Sequence, residues 1–288
     1  VIKVRPNPFA LDRAFAARGK ARSCSTKPEQ SRAMPLWRWN SWEIRSRKGI
    51  GKLDGIERML RGIDGGKVLD VATHEGHFVR ILMENLKSYK EIVGIDVNEE
   101  SIETAIKNLA QENVRFLVMD AERLDFEDES IDTVNISASL HHLANIPRVL
   151  DEMDRVLTPG GHFIIVEMHR DGQTEAALTS IYLHQWVAEV DTALGYLHNS
   201  TLARQELVNY MARLDLSNVE YDDYIDIASD PMEKARIEQL ERLIERTIQR
   251  AEGTNNYGKF EARGNELLYR LHKTGAQREP IIIVVGKK

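Results

Sequence analysis

Cysteine is almost missing from this chain: Cys24 is the only one in 288 residues. A single thiol excludes an internal disulfide framework and a cysteine-built metal cage, and it fits a reducing compartment. Long apolar runs are missing too. No stretch of about 18 or more apolar residues occurs, so no helical membrane span is expected. Internal repeats and low-complexity segments are absent. Positive charge is scarce beyond the first fifty residues, which hold twelve Lys/Arg against three acids, a balance of +9. The whole chain is −6, so residues 51–288 carry −15. An acidic body disfavours phosphate-backbone contacts, and a nucleic-acid partner is not expected for it. The expectation is a cytoplasmic protein, a monomer or homodimer, acting on a small molecule.

The basic arm, residues 1–49, shows no sustained period and scatters Pro6, Pro8, Pro28 and Pro35 among Arg, Ser and Ala. A disordered or loosely docked arm, a transit-type segment and a non-native leader all stay open. Trp37, Trp39 and Trp42 want a surface to cover, either on the domain or over its cleft.

From residue 50 onwards the text alternates. Apolar runs at Lys67–Ala72, Glu91–Val97, Val114–Met119, Ile131–Ile136 and His162–Glu167 read as buried strands. Stripes at helical spacing separate them, for example Phe78, Val79, Leu82, Met83 and Leu86. This predicts an α/β, doubly wound, mostly parallel seven-stranded sheet with helices on both faces, completed by strands at Val219–Ile227 and Pro280–Val285. Helical insertions at about 172–198 and 230–275 would form a lid over one domain, residues 50–288. Asp230-Pro231-Met232-Glu233 reads as a helix start, with cap, proline and capping-box acid.

In such sheets a nucleotide-type ligand binds beyond the carboxyl ends of the strands. The first strand runs into Asp70-Val71-Ala72-Thr73-His74-Glu75-Gly76, and Asp96 follows Gly76 by twenty residues, placed to accept ribose hydroxyls. That spacing also suits a nicotinamide dinucleotide, but a pyrophosphate wants bare backbone N–H groups. Acids at Asp70 and Glu75 suit a cationic ligand instead, one carrying a sulfonium and an ammonium group. Glu75 can equally be a helix N-terminal acid offsetting the macrodipole.

Taken in order, VLDVATHEG, VGIDVNEES, VMDAERLDFEDESIDTV, SLHHL and RVLTPGGHFIIVE resemble the class I S-adenosylmethionine (SAM) dependent methyltransferases. The resemblance is strongest to the ubiquinone/menaquinone-biosynthesis group, and it covers Val68–Glu167 closely. It implies methyl transfer from SAM to a small or medium organic acceptor, with S-adenosylhomocysteine (SAH) as product. A non-catalytic SAM- or SAH-binding module, or a SAM-using enzyme of altered reaction type, is the alternative.

By position, the resemblance puts Asp70, Ala72, His74 and Gly76 around the methionine part of SAM, with Asp96 and Val97 at the ribose. Asp120 and Ala121 would face the adenine, and Ser137 and Leu140 would lie beside the cofactor. The chain departs from the family's D-x-G-x-G-x-G loop at two glycines, which are Ala72 and His74 here. A shifted loop, weaker SAM binding or a His74 contact to ligand would follow, since glycine serves such positions by lacking a Cβ.

His141 or His142 could act as a general base. Glu167, His169, Tyr182 and Trp186 are candidates for the acceptor pocket, as are His184, Asp191 and Tyr196 on the same insertion. Tyr182 and Trp186 can equally be core. No metal is expected: His74 with His77, and His141 with His142, come without a clear third ligand, and adjacent helical residues face different ways.

Overall fold

A computed structural model describes residues 54–172 and 174–288; the readings of the basic arm and of Trp37, Trp39 and Trp42 lie outside the described residues. Five strands alternate with helices: α1 (Asp54–Leu60), β1 (Lys67–Val71), α2 (His77–Asn85), β2 (Glu91–Asp96), α3 (Glu99–Leu109), β3 (Val114–Val118), β4 (Ile131–Ser137), α4 (Ile146–Val156) and β5 (Leu157–Met168). There follow α5 (Glu175–Ala193), α6 (Arg204–Ala212), β6 (Ser217–Tyr224), α7 (Lys234–Ala251), α8 (Tyr257–Thr274) and β7 (Ile281–Lys287). The seven strands lie in the order β3-β2-β1-β4-β5-β7-β6, with β7 antiparallel to both its neighbours. The chain leaves β1 to one side for β2 and later returns to its other side with β4, which sets the switch point at the carboxyl end of β1.

Strand residues divide by parity between two apolar layers, as a period of two requires. Val68, Ile92, Ile164 and Val166 pack under α1, α2 and α3 with Ile56, Phe78, Leu82 and Ile102. Leu69, Val71, Phe163 and Ile165 pack on the opposite layer with Leu150, Met153, Leu207 and Met211 of α4 and α6. Each fully buried side chain of this kind contributes roughly 1.5–3 kcal/mol of transfer free energy. Helix starts are tied down locally: Asn98 accepts from Ser101 N at 3.0 Å and Asn145 from Arg148 N at 3.1 Å.

Helices α5, α7 and α8 form a third apolar cluster of their own around Leu183, Trp186, Val190, Leu240, Ile244, Phe260 and Leu267. They lie at Glu175–Ala193 and Lys234–Thr274, within the two ranges, about 172–198 and 230–275, read from sequence as insertions. The start of the second differs: Asp230–Glu233 is a turn, and α7 begins only at Lys234. Asp230 caps that turn through Met232 N at 2.9 Å, while the Pro231 carbonyl accepts Ala276 N at 2.9 Å. The link to the chain beyond α8 pins the turn and keeps it out of the helix. Strand β5 also starts early, at Leu157, so Pro159-Gly160-Gly161 lies within the strand span, with Gly160 at φ 78° and a register shift opposite Ile131–Thr133. None of the helices among the described residues is long and apolar enough to cross a membrane.

Candidate functional site

The loop after β1 keeps a glycine-type backbone without the glycines. Ala72 has φ 55°, His74 φ 50° and Gly76 φ 80°, so all three positions are left-handed. The loop carries strain, since a left-handed residue with a Cβ costs about 1–2 kcal/mol. The glycine that survives is the one with a second demand on it. A Cβ at Gly76 would come within 2.6 Å of Leu109 Cδ1. At position 74 the side chain is exposed and meets only the backbone penalty.

Hydrogen bonds fix this loop to its neighbours. Thr73 N donates to the Ile95 carbonyl at 2.8 Å, Gly76 N to the Thr73 carbonyl at 2.9 Å, and His74 N to Asp96 Oδ2 at 2.9 Å. Asp96 Oδ1 takes Asn98 N at 2.9 Å. Each carboxylate oxygen has two lone pairs, so Asp96 can still accept ribose hydroxyls. Beside it Val97 is 65% exposed, an apolar surface of the kind an adenine ring covers. Asp120 Oδ1 caps Glu122 N at 2.9 Å, and Asp120 is exposed at the end of β3 with half-buried Ala121 next to it. The segment after them is held from α4. Arg155 donates to the Leu124 and Phe126 carbonyls at 2.9 Å each and pairs with Glu152 and Asp128, and Glu152 accepts Leu124 N at 2.9 Å.

Two expected contact residues turn out to be internal supports. Asp70 is wholly buried; its carboxylate accepts from Thr73 Oγ1 at 2.5 Å and from the Asn135 amide on β4. Burial raises this carboxyl to about 7, against the lowering effect of those two hydrogen bonds. Asp70 therefore shapes the loop from behind. Glu167 is likewise buried: its Oε2 accepts Ser139 N at 2.9 Å and Leu140 N at 2.8 Å, and its Oε1 accepts Met168 N at 3.0 Å. Burial raises it to about 7, opposed by these backbone donors. Its oxygens serve the β4 loop rather than a pocket surface.

That loop carries half-buried Ser137 and left-handed Ala138 at φ 46°. Ser139 Oγ donates to the Ser137 carbonyl at 2.7 Å and lies 3.4 Å from the Ala72 carbonyl, so the β4 and β1 loops touch. The Leu140 side chain is fully buried in the core layer of α4, not beside the loop. A 3-10 turn, Leu140–His142, follows.

The acceptor-side candidates separate. Trp186 is 1% exposed inside the helical cover, and its indole N–H donates to the Phe260 carbonyl at 3.1 Å, so it is core. Tyr182 is half-buried with the Arg270 guanidinium 5.2 Å from its ring centre. His169 is buried at the end of β5, with Nδ1 accepting Asp171 N at 3.3 Å. His141, His142 and His184 instead come together with His198, which the sequence did not flag. The His184 and His198 Nε2 atoms are 3.0 Å apart, and the His141 and His142 rings are 4.1 Å apart, tilted by 45°. The two rings pack against each other although they stand on adjacent residues of the 3-10 turn. The chain after α5 is laid against it, with Asn199 N donating to the His141 carbonyl at 2.9 Å. Burial and the neighbouring imidazoles hold His141 and His142 well below the ordinary histidine range.

The cradle fits SAM: left-handed turns open the backbone after β1, and two exposed or half-exposed acids stand at the ends of β2 and β3. The sequence profile of a family described as a methyltransferase domain matches residues 63–216, more than half of the chain. A demethylmenaquinone methyltransferase of Thermotoga maritima is 26% identical over 180 residues, 62% of this chain and 77% of that protein. One from Staphylococcus aureus is 38% identical over 122 residues, 42% of this chain and 48% of that protein. The chain thus spans about half the length of some of the curated relatives it matches. A SAM-dependent methyltransferase from Mesorhizobium loti shares the fold at TM-score 0.51 and 18% identity, covering 83% of this chain and 99% of that one. The chain belongs to the methyltransferase domain family, as a class I SAM-dependent methyltransferase with SAM as its cofactor.

Proposed function

We propose that the chain moves the methyl group of SAM to a small or medium organic acceptor of quinol-like, ionisable-hydroxyl type, held between the strand ends and the α5–α7–α8 cover. The observation that carries this reading is the retained left-handed loop at Ala72, His74 and Gly76, latched to Asp96. A scaffold released from cofactor binding would have no reason to keep two strained residues in glycine conformations. Bound SAM supplies a methyl already activated on sulfur, so the protein's part is to bind, orient and exclude water. Asp96 would hold the ribose, Asp120 and Ala121 the adenine edge, and the β1 loop the methionine part, with Asp70 setting that loop from behind.

The relatives named for demethylmenaquinone support an aromatic acceptor. The matched profile ends at residue 216, before α7 and α8, and the acceptor of this chain need not be theirs. A cytoplasmic site of action goes with the reading. The test is release of SAH from SAM with a panel of quinols, phenols and aliphatic alcohols. Turnover with at least one ionisable hydroxyl compound, lost in Asp96→Ala, is expected. SAM binding without turnover across all classes would overturn it.

A further inference from the structure

Four histidines meet where the β4 loop, α5 and the segment after α5 converge. One ligand nitrogen from each of His141, His142 and His198 lies within 4.8 Å of the others, and His184 Nε2 is 3.0 Å from His198 Nε2. A carboxylate stands behind three of the rings. Asp191 Oδ2 is 2.8 Å from His198 Nδ1, Glu167 Oε1 is 3.3 Å from His141 Nδ1, and Glu279 Oε1 is 3.6 Å from His184 Nδ1. Asp191 is itself fixed by Arg250 of α7. We propose that His141, His142 and His198, with His184 packed against His198, form a transition-metal site of the zinc class, built between the cofactor strands and the helical cover.

The arrangement has the two layers that imidazole metal sites need. Metal-ligating histidines commonly give their other ring N–H to a carboxylate, which fixes tautomer and orientation. Here each such carboxylate faces Nδ1, and the Nε2 atoms of His184 and His198 face one another. The Nδ1 atoms of His141 and His142 are also buried without a well-formed hydrogen bond. An all-imidazole ligand set suits Zn²⁺ and its neighbours over Mg²⁺ or Ca²⁺. His142, half-exposed while the other three are buried, marks the side from which an ion enters.

The site stands on its own geometry, and an ion there would sit one loop away from the cofactor cradle, since Ser139 Oγ of the same β4 loop lies 3.4 Å from the Ala72 carbonyl. The test titrates Zn²⁺, against a chromophoric chelator, into the full untagged chain stripped of metal, and repeats it with Co²⁺ for its ligand-field absorption. One ion per chain is expected, with affinity falling at least 100-fold in His198→Gln and about 10–100-fold in Asp191→Asn. SAM affinity, measured in parallel, should change less than threefold in His198→Gln, which shows a folded chain and separates this test from that of the cofactor reading. No stoichiometric ion in a chain that binds SAM would overturn the proposal. Binding that survives His198→Gln and His142→Ala but is lost in His77→Ala would also overturn it, by assigning the ion to the cluster His74, Glu75 and His77.

Discussion

His74 gives its backbone N–H to Asp96 Oδ2 at 2.9 Å, so the residue that replaces a glycine in the cofactor loop is latched to the acid expected to hold the ribose. The latch explains how a left-handed histidine is tolerated: the bond is made by the backbone, and the imidazole points to the exposed side. His74→Gly should raise stability by about 0.5–1 kcal/mol, as relief of the left-handed Cβ outweighs the extra freedom glycine gives the unfolded chain. Urea denaturation checks this. SAM affinity in His74→Gly should be equal or tighter; a loss would mean that the imidazole itself touches the cofactor.

Arg155 ties the loop that follows Asp120 and Ala121 to α4 through two carbonyls and two carboxylates. Arg155→Ala strands the Leu124 and Phe126 carbonyls and the buried Glu152. The expected cost is about 2–3 kcal/mol of stability, from lost charge-assisted hydrogen bonds. Weaker binding of adenosine should accompany it, measured by calorimetry, with little change in the affinity for methionine.

Asp70 should give the fold an inverse acid dependence. Its carboxyl is raised to about 7 by burial, so between roughly pH 4 and 7 the native state holds a proton that the unfolded chain releases. The contribution is fully present below the unfolded value and is lost as pH rises through the folded one, with a ceiling on the order of 4 kcal/mol. In Asp70→Asn this fall in the denaturation midpoint between pH 4 and 7 should become shallower, leaving the part that Glu167, also raised to about 7 by burial, contributes. An unchanged slope would place its source elsewhere.

Trp186→Ala should destabilise by about 3–5 kcal/mol, because the ring is buried among α5, α7 and α8 and its N–H holds the Phe260 carbonyl. Loss of acceptor affinity at unchanged stability would instead make Trp186 a pocket residue.

The strands of the sheet were legible because apolar runs at Val68, Ile92, Val134 and Ile164 are bounded by turn residues and helical stripes. Boundaries failed where tertiary bonds overrode local preference, as at Asp230–Glu233, which the Pro231–Ala276 link holds as a turn. Asp70 and Glu167 stand out in sequence as acids at strand ends. Whether such an acid faces ligand or interior depends on donors brought from elsewhere in the chain, the Asn135 side chain in one case and Ser139 N in the other. His198 and Glu279 carried no sequence signal. They join His141 and His184 only after the chain has folded back over the sheet, and no spacing encodes that meeting.

The central claim is a SAM site at the ends of β1, β2 and β3, and it is tested most directly by calorimetric titration of SAM and SAH into the full chain and into Asp96→Ala. Micromolar binding of both ligands by the parent chain, weakened at least tenfold in an Asp96→Ala variant with an unaltered circular dichroism spectrum, is the predicted result. A folded chain that binds neither ligand, or binds both equally well without the Asp96 carboxylate, would contradict it.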